Sequence, residues 1–397
     1  MLIILFLIYP VMADIPDNVF DSGIYEVMEH IGDDCLIDVT FSEADSVTSC
    51  FGYSVSADST DFWVLTVDYS GIPIDRQELC IRQDNPENWI RGIFLKPGLL
   101  LIIKGEYTPG SFPEFHSIDL SNLDNSRHSA IPVEINTDEI LILMSLKKCP
   151  DGRLLAAGTR CSPEDGHTLF VMKLEYEGTI LWETPLVENY EEQFSQASLE
   201  VMSDGGCILS YDQDCFPLSS IPICRLGSDG QILWHRSLQV DNELIAGLSG
   251  FIELDNESIL CTGTVECMRQ MAFRGFTVCL DSLGEEIWRR IDWYRDHTLF
   301  RSARITPQGD FLITACTGEE GDYPLEAVNT DVLLVIMEND GSRIIGTELS
   351  AEGDQKVHAV FLTESGQIIV TGTEVQPGKD EADVFFWKLD FEEIRPQ

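Results

Sequence analysis

Aromatic rings stand next to carboxylates at three places in this 397-residue chain: Tyr190 beside Glu191, Trp293, Tyr294 and His297 around Asp296, and Tyr323 beside Asp322, with Glu320 close by. A ring face with an acid at its edge suits a sugar, which stacks on the one and hydrogen-bonds the other, or a cationic side chain. Tyr190, Trp293, Tyr294, Asp296, His297, Asp322 and Tyr323 therefore form the candidate binding set. Ordinary aromatic packing between repeats would use the same residue types. His297 stands out because Trp293-Tyr294-Arg295-Asp296-His297 brings aromatic, charged and titratable groups into one short stretch.

Residues for a recognisable reaction are missing. The chain has no Gly-x-Ser-x-Gly elbow, no His-Glu-x-x-His, no P-loop and no EF-hand loop, and its seven histidines are scattered without ligand spacing. Binding is therefore expected ahead of catalysis. No cofactor is predicted. The acidic run Asp119-Leu120-Ser121-Asn122-Leu123-Asp124-Asn125 leaves Ca2+ open, but it lacks the central Gly and distal Glu of a known loop, so a solvated turn is expected.

Twelve cysteines include no Cys-x-x-Cys pair, which disfavours metal clusters and dithiol redox chemistry. Cys207, Cys261 and Cys316 read as small buried apolar residues in strands. Cys215 with Cys224, and Cys267 with Cys279, flank the expected loop between second and third strands of successive repeats and are the disulfide candidates.

What positions all of these is a repeat. Lys173-Leu174-Glu175-Tyr176-Glu177-Gly178-Thr179-Ile180-Leu181-Trp182 returns as Arg225-Leu226-Gly227-Ser228-Asp229-Gly230-Gln231-Ile232-Leu233-Trp234 and as Leu280-Asp281-Ser282-Leu283-Gly284-Glu285-Glu286-Ile287-Trp288. From Gly178 to Gly230, Gly284 and Gly341 the intervals are 52, 54 and 57 residues, a period that suits a propeller blade. Apolar runs of four to eight residues bounded by Gly, Asp, Asn and Ser give four strands per copy, as in Ile140 to Cys149, Arg153 to Thr159, Thr168 to Leu174 and Thr179 to Leu186.

The phrase Asp-Gly-x-apolar-apolar-x-x-Gly-Thr, followed by a strand ending Lys-Leu-Asp/Glu-x-x-Gly-x-Ile-x-Trp, resembles the secreted bacterial β-propeller repeats of the quinoprotein-like (PQQ-like) superfamily, over essentially the whole mature chain. The resemblance implies a propeller fold. It leaves function open between binding modules and enzymes of the quinoprotein-dehydrogenase type, and a carbohydrate-active enzyme is a further alternative. Trp182, Trp234 and Trp288, four residues after their glycines, have a spacing like the tryptophan-docking motif of quinoprotein dehydrogenases and are expected to pack between neighbouring blades. Ser162 to Leu169 is similar to a sialidase Asp-box, but it occurs once and at the wrong place in the repeat, so chance accounts for it.

The seventh copy stops before its fourth strand, and Gly23 to Met28 reads like the missing one. The expected fold is therefore all-β, a seven-bladed β-propeller of four-stranded antiparallel blades over residues 14–397, its ring closed by an N-terminal strand pairing with about Val384 to Leu389. One face carries tight Gly turns. The other carries the loops between second and third strands and the inter-blade connectors, read as long at Asp212 to Ile221, Val265 to Gly275, Thr317 to Thr330 and Glu374 to Asp383. A protein or polysaccharide partner is expected on that long-loop face.

Sixty-eight Asp and Glu against 25 Lys and Arg give a net charge of −43, which repels nucleic acid and anionic lipid. The same acidity keeps an exterior solvated and self-repelling, and salt adaptation would also account for it. The apolar run Leu2 to Val11 followed by Val11-Met12-Ala13 reads as a signal peptide of residues 1–13, placing the mature chain outside the cytosol, secreted, periplasmic or at the cell surface, with no transmembrane anchor.

Overall fold

The structure is a computed structural model that describes residues 12–14, 19–20, 24–28, 33–42, 47–55, 60–68, 72–82, 89–96, 98–105, 114–120, 127–130, 139–162, 166–190, 197–211, 220–240, 244–267, 271–320, 327–342, 344–351, 353–363, 365–376 and 382–394. It is all-β. Seven antiparallel four-stranded sheets, here blades 1 to 7, follow one another along the chain. Blade 1 comprises Asp33–Ser42, Val47–Val55, Thr60–Val67 and Pro73–Arg82, and blade 2 Trp89–Lys96, Leu99–Gly105, Glu114–Asp119 and Arg127–Ala130. Blade 3 holds Ile140–Lys148, Leu154–Ser162, Gly166–Leu174 and Ile180–Tyr190; blade 4 holds Ala197–Val201, Cys207–Tyr211, Ser220–Leu226 and Ile232–Gln239. Blade 5 is Leu244–Glu253, Ile259–Cys267, Ala272–Leu280 and Glu286–Trp293, and blade 6 is His297–Ile305, Phe311–Glu320, Ala327–Met337 and Ile344–Leu349. In blade 7, Asp354–Leu362, Gln367–Val375 and Ala382–Asp390 are joined by Ile24–Met28, which lies antiparallel to Val384–Lys388 with Ile24 opposite Lys388.

Strand alternation turns these sheets into a ring. Along a strand, successive side chains face opposite sides. In blade 1, Phe51, Phe62 and Val64 pack with Phe94, Leu100 and Ile102 of blade 2, while Cys50, Trp63 and Leu65 pack with Ile369, Val384 and Phe386 of blade 7. The same division recurs all round, so that each of the seven blade interfaces has its own apolar cluster. Both faces of a middle strand are thereby buried. That is why Ile259–Cys267 is buried at every position and reads as an apolar and small-residue run, broken only by Glu266. The first strands of successive blades touch and surround the axis, and the fourth strands form the outer rim.

The recurring tryptophans lock neighbouring blades. The Trp182 indole N–H donates to the Ser228 carbonyl (3.0 Å) and the Trp234 N–H to the Ser282 carbonyl (3.0 Å), each in the turn of the next blade. Their rings lie on Gly230 and Gly284, where a Cβ would meet ring atoms at 2.7 and 2.8 Å; Trp288 lies in the same way on Gly341. These glycines also have φ of 83°, 78° and 73°, the left-handed region, so the turn and the docking both require Gly. Two short segments extend the rim. Met12–Asp14 adds parallel to Ile291–Trp293 of blade 5, and Val19–Phe20 adds parallel to Glu348–Leu349 of blade 6.

The hairpins run further than their sequence indicates. Val265, Glu266 and Cys267 remain laddered to Arg274, Phe273 and Ala272, and Glu374 and Val375 to Asp383 and Ala382, because backbone groups at a strand end gain partners by continuing the ladder. The loops of blades 5 and 7 are therefore shorter than expected.

Candidate binding face

The connector between blades 5 and 6 is only Tyr294, Arg295 and Asp296, since Trp293 ends one strand and His297 begins the next. Its conformation is held from inside. The Thr298 hydroxyl accepts the Tyr294 N–H (2.6 Å), and the Thr317 hydroxyl donates to the Tyr294 carbonyl (2.9 Å). Tyr294 is buried with Phe300 and Phe311. His297 is fully buried, its Nδ1 accepting the Phe273 N–H (3.2 Å) and its ring 5.8 Å from that of Phe273. Both residues were expected on the rim, and both belong to the wall. A large ring beside a strand start fills the wedge between diverging blades.

Arg295, with φ of 52°, carries the charge that this tight connector displays. Its guanidinium donates to Asp331 Oδ2 (2.9 Å) and to the Glu348 carboxylate, so one cation joins the third and fourth strands of blade 6. Both acids are buried, and Ser350 donates to Glu348 Oε1 (2.9 Å). Burial, then the adjacent Glu348 carboxylate, push the Asp331 carboxyl up to about 6, while Arg295 opposes the rise. Nearby, Arg290 clamps the fully buried Asp292 through two bonds (3.1 and 2.7 Å), and burial raises the Asp292 carboxyl against that partner.

Around this core the rim of blades 5 to 7 continues acidic. Asp354 accepts the Thr330 N–H (2.9 Å), and buried Glu374 accepts the Gly353 N–H (3.2 Å) and stands opposite buried Asp383 in the ladder. Arg274 lies over the half-buried Trp293 ring at 5.8 Å and donates to the Asp296 carbonyl, leaving the Asp296 side chain exposed. Of the sequence candidates, Trp293 and Asp296 thus share an accessible patch with Arg295. Tyr190 ends the last strand of blade 3, opposite His167, away from that patch; Asp322 and Tyr323 lie outside the described residues. Arg295, Asp331 and Glu348 were not singled out in sequence. They lie up to 53 residues apart, and no local spacing connects them.

The axis holds a second polar set. Lys147 of blade 3 pairs with Glu200 of blade 4 (3.1 Å), and Arg304 of blade 6 interacts with the same Glu200. Asp38 of blade 1 accepts the Phe94 N–H (2.9 Å), and burial raises its carboxyl to about 6.

The expected disulfides are not found among the described cysteines. Cys224 and Cys279 are buried free thiols, Cys267 is buried, and Cys215 lies outside the described residues. Cys267 pairs in register with Ala272 and Cys279 with Leu260, seven positions along the same hairpin. At about 3.3 Å per residue that is roughly 23 Å, far beyond the ~4.4–6.8 Å Cα separation of a bridge.

No protein-family profile matches the chain, and no curated protein matches it. Solved structures do. The polysaccharide lyase Uly1 superposes with TM-score 0.55 at 9% identity, covering 89% of this chain and 90% of that one. An oligogalacturonate lyase in complex with manganese gives 0.54 at 11% identity, covering 93% and 96%. Pyrococcus horikoshii acylaminoacyl peptidase gives 0.50 at 14% identity, covering 90% of this chain but 52% of the peptidase. At such identities these likenesses concern the propeller fold alone.

Proposed function

We propose that the chain is an exported propeller of the quinoprotein-like kind that binds a neutral or cationic partner, a polysaccharide or a basic protein segment, on the rim of blades 5 to 7. The observation that carries this reading is the convergence of Trp293, Arg295, Asp296 and buried carboxylates from three blades on one face. A chain of net charge −43 repels polyanions, so the ligand must offer hydroxyls or cations. Trp293 supplies an apolar face, Arg295 and Asp296 supply a donor and an acceptor, and the Asp331–Glu348 pair holds Arg295 in place.

The test is a glycan and basic-peptide binding screen with Trp293→Ala and Asp296→Ala. Loss of binding in both variants at unchanged melting temperature supports the assignment. Unchanged binding places the site elsewhere. Export is tested by N-terminal sequencing from the native host, which gives Asp14 as the first residue if the signal peptide is cleaved and Met1 in the cytosolic fraction if it is not.

A second reading is favoured by one observation. Two hydrogen-bonded carboxyls, one raised to about 6, are the equipment of acid–base chemistry near neutral pH. A carbohydrate-active enzyme would yield new chain ends from a polysaccharide, abolished in Asp331→Asn and Glu348→Gln. Reconstitution with PQQ and Ca2+ tests the dehydrogenase alternative by reduction of an artificial acceptor.

A further inference from the structure

Leu181, Leu233 and Ile287 occupy one repeat position, just before the docking tryptophan, on three consecutive blades. All three are exposed, Leu233 at 57% and Ile287 at 54%. Leu283 (65% exposed) joins them, because its turn is held against the outer strand of blade 4: Trp234 donates to the Ser282 carbonyl and Arg236 to the Leu283 carbonyl (2.9 Å). A solvated rim has no need of Leu or Ile at one repeated site, and exposed apolar side chains recurring along a rim suit an interaction surface.

The charge around this stripe indicates the kind of partner. Its two cations are already neutralised, Arg236 by Glu285 (3.0 Å) and Arg289 by Glu286, while Asp229 and Asp281 add further acid at the turns. A second copy of a chain carrying −43 is repelled, whereas a basic partner is attracted. The fold also shows how a partner can attach. Blade 6 accepts an extended segment, Val19–Phe20, in parallel on its outer strand, and among the described residues the outer strand of blade 4, Ile232–Gln239, carries no such addition.

We propose that the outer rim of blade 4 takes an extended basic segment of another protein, which adds as a fifth strand along Ile232–Gln239 and rests its apolar residues on Leu233, Leu283 and Ile287. Backbone pairing supplies affinity, alternate side chains supply selectivity, and lysines or arginines meet the acidic border. A segment of seven or eight residues spans that strand, roughly 25 Å.

The probe is the synthetic peptide Lys-Leu-Lys-Ile-Lys-Leu-Lys, with Glu-Leu-Glu-Ile-Glu-Leu-Glu for comparison, read by hydrogen exchange and by titration at 0.15 M salt. The expected result is protection confined to residues 232–239 and 281–288, with at least tenfold weaker binding to Leu233→Asp/Ile287→Asp and unchanged binding to Asp296→Ala on the opposite face. Because both replaced residues are exposed, the double variant keeps its melting temperature. Protection spread over the acidic surface, equal binding to the double variant, or no binding of the lysine peptide each overturns the proposal. The blade 5 to 7 site is told apart by its own variants, Trp293→Ala and Asp296→Ala, which leave protection of residues 232–239 unchanged.

Discussion

At the residue scale, burial decides what each titratable group does. Asp331 holds its proton more tightly in the folded chain than a free carboxyl does, with its value raised from 3.8 to about 6. A raised folded value means stability that is full below the ordinary carboxylate range and is lost as pH rises through about 6. Asp331→Asn removes that loss. Its stability should fall less than that of the parent between pH 4 and pH 7, read as a smaller drop in melting temperature. Asp38, also raised to about 6, contributes equally to both proteins and cancels in the comparison. Equal pH slopes for the two would show that the pair does not share its proton. The thiols follow similar logic: burial pushes Cys207 and Cys224 up to about 12, so almost no thiolate exists at neutral pH. A thiol reagent should leave both unmodified in the folded protein and label them promptly in denaturant.

At the element scale, the docking of the outer strands of blades 3, 4 and 5 on the next blade is the recurring bond. Trp234 is 7% exposed and spends its ring on Gly284 and its N–H on Ser282. Trp234→Ala should cost about 3 to 5 kcal/mol in chemical denaturation. Gly284→Ala should also destabilise, because it adds left-handed strain to a contact with no room for a methyl group. If Gly284→Ala retained full stability, the ring would not be seated on the turn as described. The repeated Gly-to-Trp phrase was legible in sequence because it encodes this contact in three successive copies. The strand extensions through Cys267 and Val375 were not, since ladder length at a hairpin end depends on the partner strand and not on local composition.

At the scale of the whole molecule, seven apolar interfaces follow one another, and the interface between blades 7 and 1 joins the chain ends. Ile24–Met28 is the outer strand of blade 7, so deleting residues 14–29 should bare the Val384–Lys388 edge and lower the melting temperature of the entire ring. An unchanged midpoint would show that closure rests on the blade 7 to blade 1 packing alone. The architecture, the blade count and the role of the tryptophans were written in the sequence, because each depends on alternation and on turn glycines that recur in most copies. The binding face was only half visible there. Aromatic and acidic residues could be assigned to one rim, yet Tyr294 and His297 turned inward while Arg295, Asp331 and Glu348, distant in the chain, came together. Periodicity says which strand a residue occupies; only the packing of one blade against the next decides whether its side chain meets solvent, a neighbour's core or a buried charge.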